Sequence, residues 1–138
     1  MLIAAGLLRG EFLRVEVFMR DMSCESCSES LGTALKRLRG VENATVDFKA
    51  GTVIVELAAR NRVGVEQVWD AIKRVGFTPG ETKVVVRGTV SGKKLDVPEI
   101  DKGFEIEGTA AAGEGVRLKG TITPPPDPRT PIRIRIAE

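Results

Sequence analysis

Two cysteines three positions apart, in the run Met22-Ser23-Cys24-Glu25-Ser26-Cys27, are the residues here whose type and spacing could do chemistry. Two thiolates at that spacing converge on one ion when the first lies on a loop and the second opens a helix. Ser26 and Glu29 are spaced as a capping box, which predicts Ser26 as N-cap and Cys27 as the first helical residue. The positive helix end and its free N–H groups would then favour the Cys27 thiolate. Asp21, Glu25 and Glu29 oppose that effect, and Arg20 partly offsets them.

Soft thiolates select soft ions: Cu(I), Zn(II), Cd(II) and Hg(II). Two sulfurs cannot complete the tetrahedral shell of a structural zinc. Cu(I) and Hg(II) accept two-coordinate linear binding, so a lone pair of cysteines suits them best, Cu(I) first. Met22 is read as a buried hydrophobe that pins the loop, with a thioether third ligand as the alternative. Three rivals compete for the pair. One is a structural disulfide in an exported protein. Another is a thioredoxin-type redox dithiol, whose motif belongs to a differently ordered fold and carries Gly-Pro where this chain has Glu25-Ser26. The last is an inert pair.

Composition removes other classes. The chain has no histidine, so a Ser–His or Cys–His nucleophile cannot form within it. No convergent acid–base set is visible, and the expectation is that the chain is not an enzyme. A net charge of +2, no tyrosine and one tryptophan speak against nucleic-acid binding. The apolar run Leu2 to Leu8 is too short to span a bilayer and lacks the preceding positive residues of a signal peptide. Residues 1–11 are read as a loosely packed terminus or the remnant of a signal sequence. The compartment stays open between cytoplasm and periplasm.

The elements that must position the cysteines follow from periodicity. Leu13, Val15, Val17 and Met19 alternate with charged residues, as in a strand with one buried face. Leu31, Ala34, Leu35 and Leu38 recur at helical spacing until Gly40. Ala44, Val46 and Phe48 form a second strand, Ala50-Gly51 turns, and Val53, Val55 and Leu57 form a third. Val65, Val68, Ile72 and Val75 make a second helix closed by Gly76, and Val84 and Val86 belong to a fourth strand. The order β-α-β-β-α-β over residues 12–90 predicts an α+β ferredoxin-like sandwich, two helices on one face of an antiparallel sheet.

Composition shifts beyond residue 90, where six of the seven prolines lie. The pattern Val84-x-Val86-Arg87-Gly88-Thr89 is echoed by Phe104-x-Ile106-Glu107-Gly108-Thr109 and Val116-x-Leu118-Lys119-Gly120-Thr121. Each unit reads as a strand ending at a flexible glycine. Pro124 to Pro128 should be extended, and Ile132, Ile134 and Ile136 alternate with arginines in a last strand. Residues 91–138 are therefore expected to form a small β-rich extension, a meander or half-barrel continuing from the fourth strand.

With these residues in place, the sequence resembles the heavy-metal-associated domain family, which includes copper metallochaperones, modules of copper-transporting ATPases and periplasmic mercury-binding proteins. Met22, Cys24 and Cys27 match the family's first-loop motif; Leu31 to Val41, Val46 to Val55 and Ile72-x-x-Val75-Gly76-Phe77 match its core pattern. The resemblance covers about residues 12–87. It implies Cys24 and Cys27 as metal ligands, Phe77 packed beside the site, and a metal donor or acceptor such as a metal-transporting ATPase as partner. Asp21 departs from the family's usual glycine, and the extension has no counterpart in a minimal metallochaperone. Beside metal carriage stand two other functions, a thiol-disulfide redox protein and a metal-free protein-interaction module.

Overall fold

The computed structural model describes residues 11–20, 25–59, 61–97, 102–125, 127 and 129–136. The readings of residues 1–10, of Asp21 to Cys24 and of part of the proline run lie outside them.

The alternating runs form the strands expected of them: β1 (Glu11–Met19), β2 (Val41–Asp47), β3 (Thr52–Leu57) and β4 (Pro79–Ser91). The helices are α1 (Glu25–Lys36) and α2 (Val65–Val75). Pairing is antiparallel in the order β2-β3-β1-β4. Val15 and Val17 on β1, Val53 and Val55 on β3, and Leu31, Leu35, Val68 and Ile72 on the helices are buried together. Burial of each such side chain contributes on the order of 1.5–3 kcal/mol, so the shared face of sheet and helices decides the sandwich.

Helix ends differ in detail from the periodicity. α1 stops at Lys36, four residues before Gly40, and a tight turn in which the Leu38 N–H donates to the Leu35 carbonyl carries the chain on. Leu38 still packs on the core from that turn. α2 closes as expected: Gly76 takes φ +109°, and the Phe77 N–H donates back to the Ile72 carbonyl at 3.1 Å.

The extension adds β5 (Lys94–Val97), β6 (Lys102–Glu107), β7 (Gly113–Ile122) and β8 (Arg133–Ile136). β4 pairs with β5, β5 with β6, β6 with β8, β8 with β7, and β7 returns to β4. The ring is closed, and its single parallel pair is β6–β8. This is a five-stranded Greek-key barrel with the strand order of the OB type. The meander or half-barrel expected from sequence is a closed barrel, because β7 pairs along the length of β4 from Thr82 to Val90. β4 belongs to both units. Its first part pairs with β1 on one edge and β7 on the other, so the strand that would end the sandwich sheet has no free edge there.

The glycines of the strand echoes behave differently from one another. Gly108 takes φ +110° just after β6, as a strand-ending glycine should. Gly88 and Gly120 instead lie inside β4 and β7. A Cβ on Gly120 would stand 2.6 Å from Ile134 Cγ1 and 2.7 Å from the Arg135 carbonyl oxygen. One on Gly88 would meet the Asp96 carbonyl oxygen and Leu95 Cδ1. These two are close-approach glycines where the barrel wall folds tightly on itself. Phe12 of the sandwich and Phe104 of the barrel meet edge to face at 5.7 Å, joining the two cores.

Candidate metal site

Cys27 sits on the third residue of α1 and is half-buried, packed against the core that also takes Phe77. The helix begins at Glu25, two residues before Cys27, so Ser26 lies within the first turn and is not the N-cap that the capping-box spacing predicts. Its carbonyl is already used in the helix, accepting from the Ser30 hydroxyl at 3.4 Å. Starting the helix earlier keeps Cys27 among the first-turn N–H groups, where the backbone dipole favours a thiolate. Cys27 is disulfide-bonded.

Met22 and Cys24 fall outside the described residues. Ser26 is exposed. Phe77 is buried, 6% exposed, at the start of the segment that leads from α2 into β4. Cys27 and Phe77 thus share one hydrophobic cluster. Among the described residues no group of three or more histidine, cysteine or acidic side chains is gathered as a further metal cage.

The scaffold under this end of the molecule is held by backbone contacts near the motif. The Met19 N–H, at the end of β1, donates to the Gly51 carbonyl at 2.8 Å, and the Arg20 N–H donates to the Thr78 carbonyl at 3.4 Å. These bonds tie the end of β1 to the β2–β3 turn and to the entry of β4.

Two buried polar side chains that sequence reading passed over act as latches. Asn61 donates from Nδ2 to the Phe12 carbonyl at 2.8 Å and the Ala58 carbonyl at 2.7 Å, while its Oδ1 accepts from the Val63 N–H at 2.9 Å. Trp69 on α2 donates to the Thr82 hydroxyl on β4. The signal for Asn61 was an amide a few residues ahead of a helix, a position where side chains commonly replace backbone partners.

The family model for the heavy-metal-associated domain matches residues 16–78, which include Cys24 and Cys27. A copper chaperone CopZ of Staphylococcus haemolyticus is 41% identical over 59 residues, taking in 43% of this chain and 85% of the relative. A copper chaperone CopZ of Staphylococcus saprophyticus is 39% identical over 59 residues, with the same coverage of 43% and 85%. A solved CopZ metallochaperone structure is 30% identical, covering 48% of this chain and 97% of that one, at a TM-score of 0.45. With 85% of the Staphylococcus haemolyticus chaperone matched at 41% identity, and the family model spanning residues 16–78, the chain belongs to the heavy-metal-associated domain family.

Proposed function

We propose that the chain binds a soft metal ion, Cu(I) foremost, between Cys24 and Cys27 and passes it to a partner protein by thiolate exchange. The observation that carries this reading is the Cys-x-x-Cys spacing at the start of α1 within the matched domain. The copper chaperone relatives favour Cu(I) over Hg(II), Zn(II) and Cd(II). In this mechanism the reduced pair holds the ion with two sulfurs. An incoming thiolate adds to the metal before the first Cys–metal bond breaks, so each step exchanges one bond. The first-turn N–H groups of α1 stabilise the Cys27 thiolate during exchange. The partner that supplies or accepts the ion is a metal-donor or acceptor protein of the metal-transporting ATPase kind.

An anaerobic Cu(I) titration of the reduced protein against a chromogenic competitor tests this. One tightly held equivalent is expected, and none in Cys24→Ser/Cys27→Ser. Stoichiometric binding by the double variant would refute the assignment.

The disulfide at Cys27 favours a second reading, a thiol-disulfide redox protein. It predicts catalytic turnover of a dithiol substrate, for example in insulin reduction; absence of turnover removes it.

A further inference from the structure

The barrel builds a surface that neither unit holds alone. A groove of about 510 Å³ runs over the seam of β1, β4 and β7, on the sheet face away from the helices. Its charged walls are Arg14 from β1, Lys83 from β4, and Arg117 and Lys119 from β7, with Glu16 as the one acid. All four cations are exposed. Among the described residues none of them makes an ion pair, although Arg14 stands across from Glu56 and Lys83 across from Glu16; the ion pairs formed are those of Arg87, Arg133 and Arg135. Lys83 lies over the Phe18 ring at 5.6 Å instead. Arg117 stands directly across from Arg87, whose carboxylate partner is Glu11.

Sheet register places these charges in rows. Arg14, Val85 and Lys119 lie across one row, and Glu16, Lys83 and Thr121 across the next. Arg117 and Lys119 are two residues apart on one strand, about 6.6–6.8 Å. An extended peptide with a carboxylate at every second residue has that same repeat, and the aliphatic Leu13 and Val85 in the lining suit its backbone and small side chains.

We propose that the seam groove docks an extended acidic peptide segment of a partner protein. Nucleic acid, the other polyanion, fits less well. No aromatic side chain lines the groove for base stacking. The second and third strands of the ring, where OB-type modules hold nucleic acid, carry Asp96, Glu105 and Glu107 as well as Lys94 and Lys102, so they offer phosphate no basic excess. The groove contains neither cysteine, so this docking is independent of the metal reading.

The test is fluorescence anisotropy with a short labelled peptide alternating Glu and Thr, run on the full chain and on the chain with both cysteines changed to serine. An oligothymidylate of equal length runs in parallel. Saturable peptide binding is expected in both proteins, weakened at least about tenfold by Arg117→Glu/Lys119→Glu and by raised salt. The milder Lys83→Gln/Lys119→Gln should weaken it several-fold, and Lys94→Glu, on the outer face of β5, should leave it unchanged. Circular dichroism identifies the variants that keep the fold. No saturable binding by the intact chain, undiminished binding by both folded groove variants, or tighter binding of the oligothymidylate would overturn the proposal.

Discussion

The Trp69 indole N–H on α2 donates to the Thr82 hydroxyl on β4 at 2.9 Å, and that hydroxyl donates onward to the Gly80 carbonyl at 3.0 Å. Thr82 is fully buried. The bond therefore pins the second helix to the one strand shared by sandwich and barrel. Thr82→Val keeps the shape and strands the indole donor. A loss of about 1–3 kcal/mol is expected, read by urea unfolding with the fluorescence of the chain's single tryptophan. A change within error would mean that the indole finds another partner.

Asn61 satisfies three backbone groups, on the strand end at Phe12, the loop at Ala58 and the approach to α2 at Val63. Asn61→Ala should cost more than the threonine change, about 2–4 kcal/mol, because several buried groups lose a partner at once. Chemical denaturation beside Thr82→Val gives the ranking.

Gly120 tests the barrel. Gly120→Ala should lower stability by about 1–3 kcal/mol, since its methyl meets Ile134 and the Arg135 carbonyl within a closed wall. Amide exchange should show the loss in β7 and β8 first, with α1 and α2 least affected. Uniform loss across the chain would mean that barrel and sandwich unfold as one unit.

The ion pairs Glu105–Arg133 and Glu11–Arg87 offer a contrast. Glu105 and Arg133, 3.0 Å apart, are both well exposed, so Glu105→Ala should change stability by less than about 0.5 kcal/mol. Glu11 is buried and bonds to half-exposed Arg87 at 2.9 Å. Glu11→Ala should cost about 1.5–3 kcal/mol, the range for a hydrogen bond to a charged group. Equal effects in thermal unfolding would contradict the burial argument.

The sandwich was legible in the sequence because each element shows its period: alternation at Leu13 to Met19 and Val53 to Leu57, helical spacing at Val65 to Val75. Barrel closure was not. It depends on β7 pairing with β4 between residues 23 to 40 positions apart, Val90 with Gly113 and Thr82 with Ile122 at the extremes, and short β patterns do not name their partners. The echoed glycines looked alike in sequence, yet Gly108 ends a strand while Gly88 and Gly120 admit a close neighbour; only tertiary approach separates these uses. At the candidate metal site the residue types were plain and the helix start was not: the Ser26–Glu29 spacing fits a capping box, but α1 begins one residue ahead of Ser26. Cap signals compete over such a short stretch, and boundaries shift by a residue or two. The groove cations were invisible as a group, because Arg14, Lys83, Arg117 and Lys119 come together only through the sheet.

The central claim is that Cys24 and Cys27 hold the metal. X-ray absorption at the copper edge of the Cu(I)-loaded, reduced protein tests it most directly. A first shell of sulfur alone is predicted, lost in Cys24→Ser/Cys27→Ser. A shell dominated by oxygen or nitrogen, or one unchanged in the double variant, would contradict it.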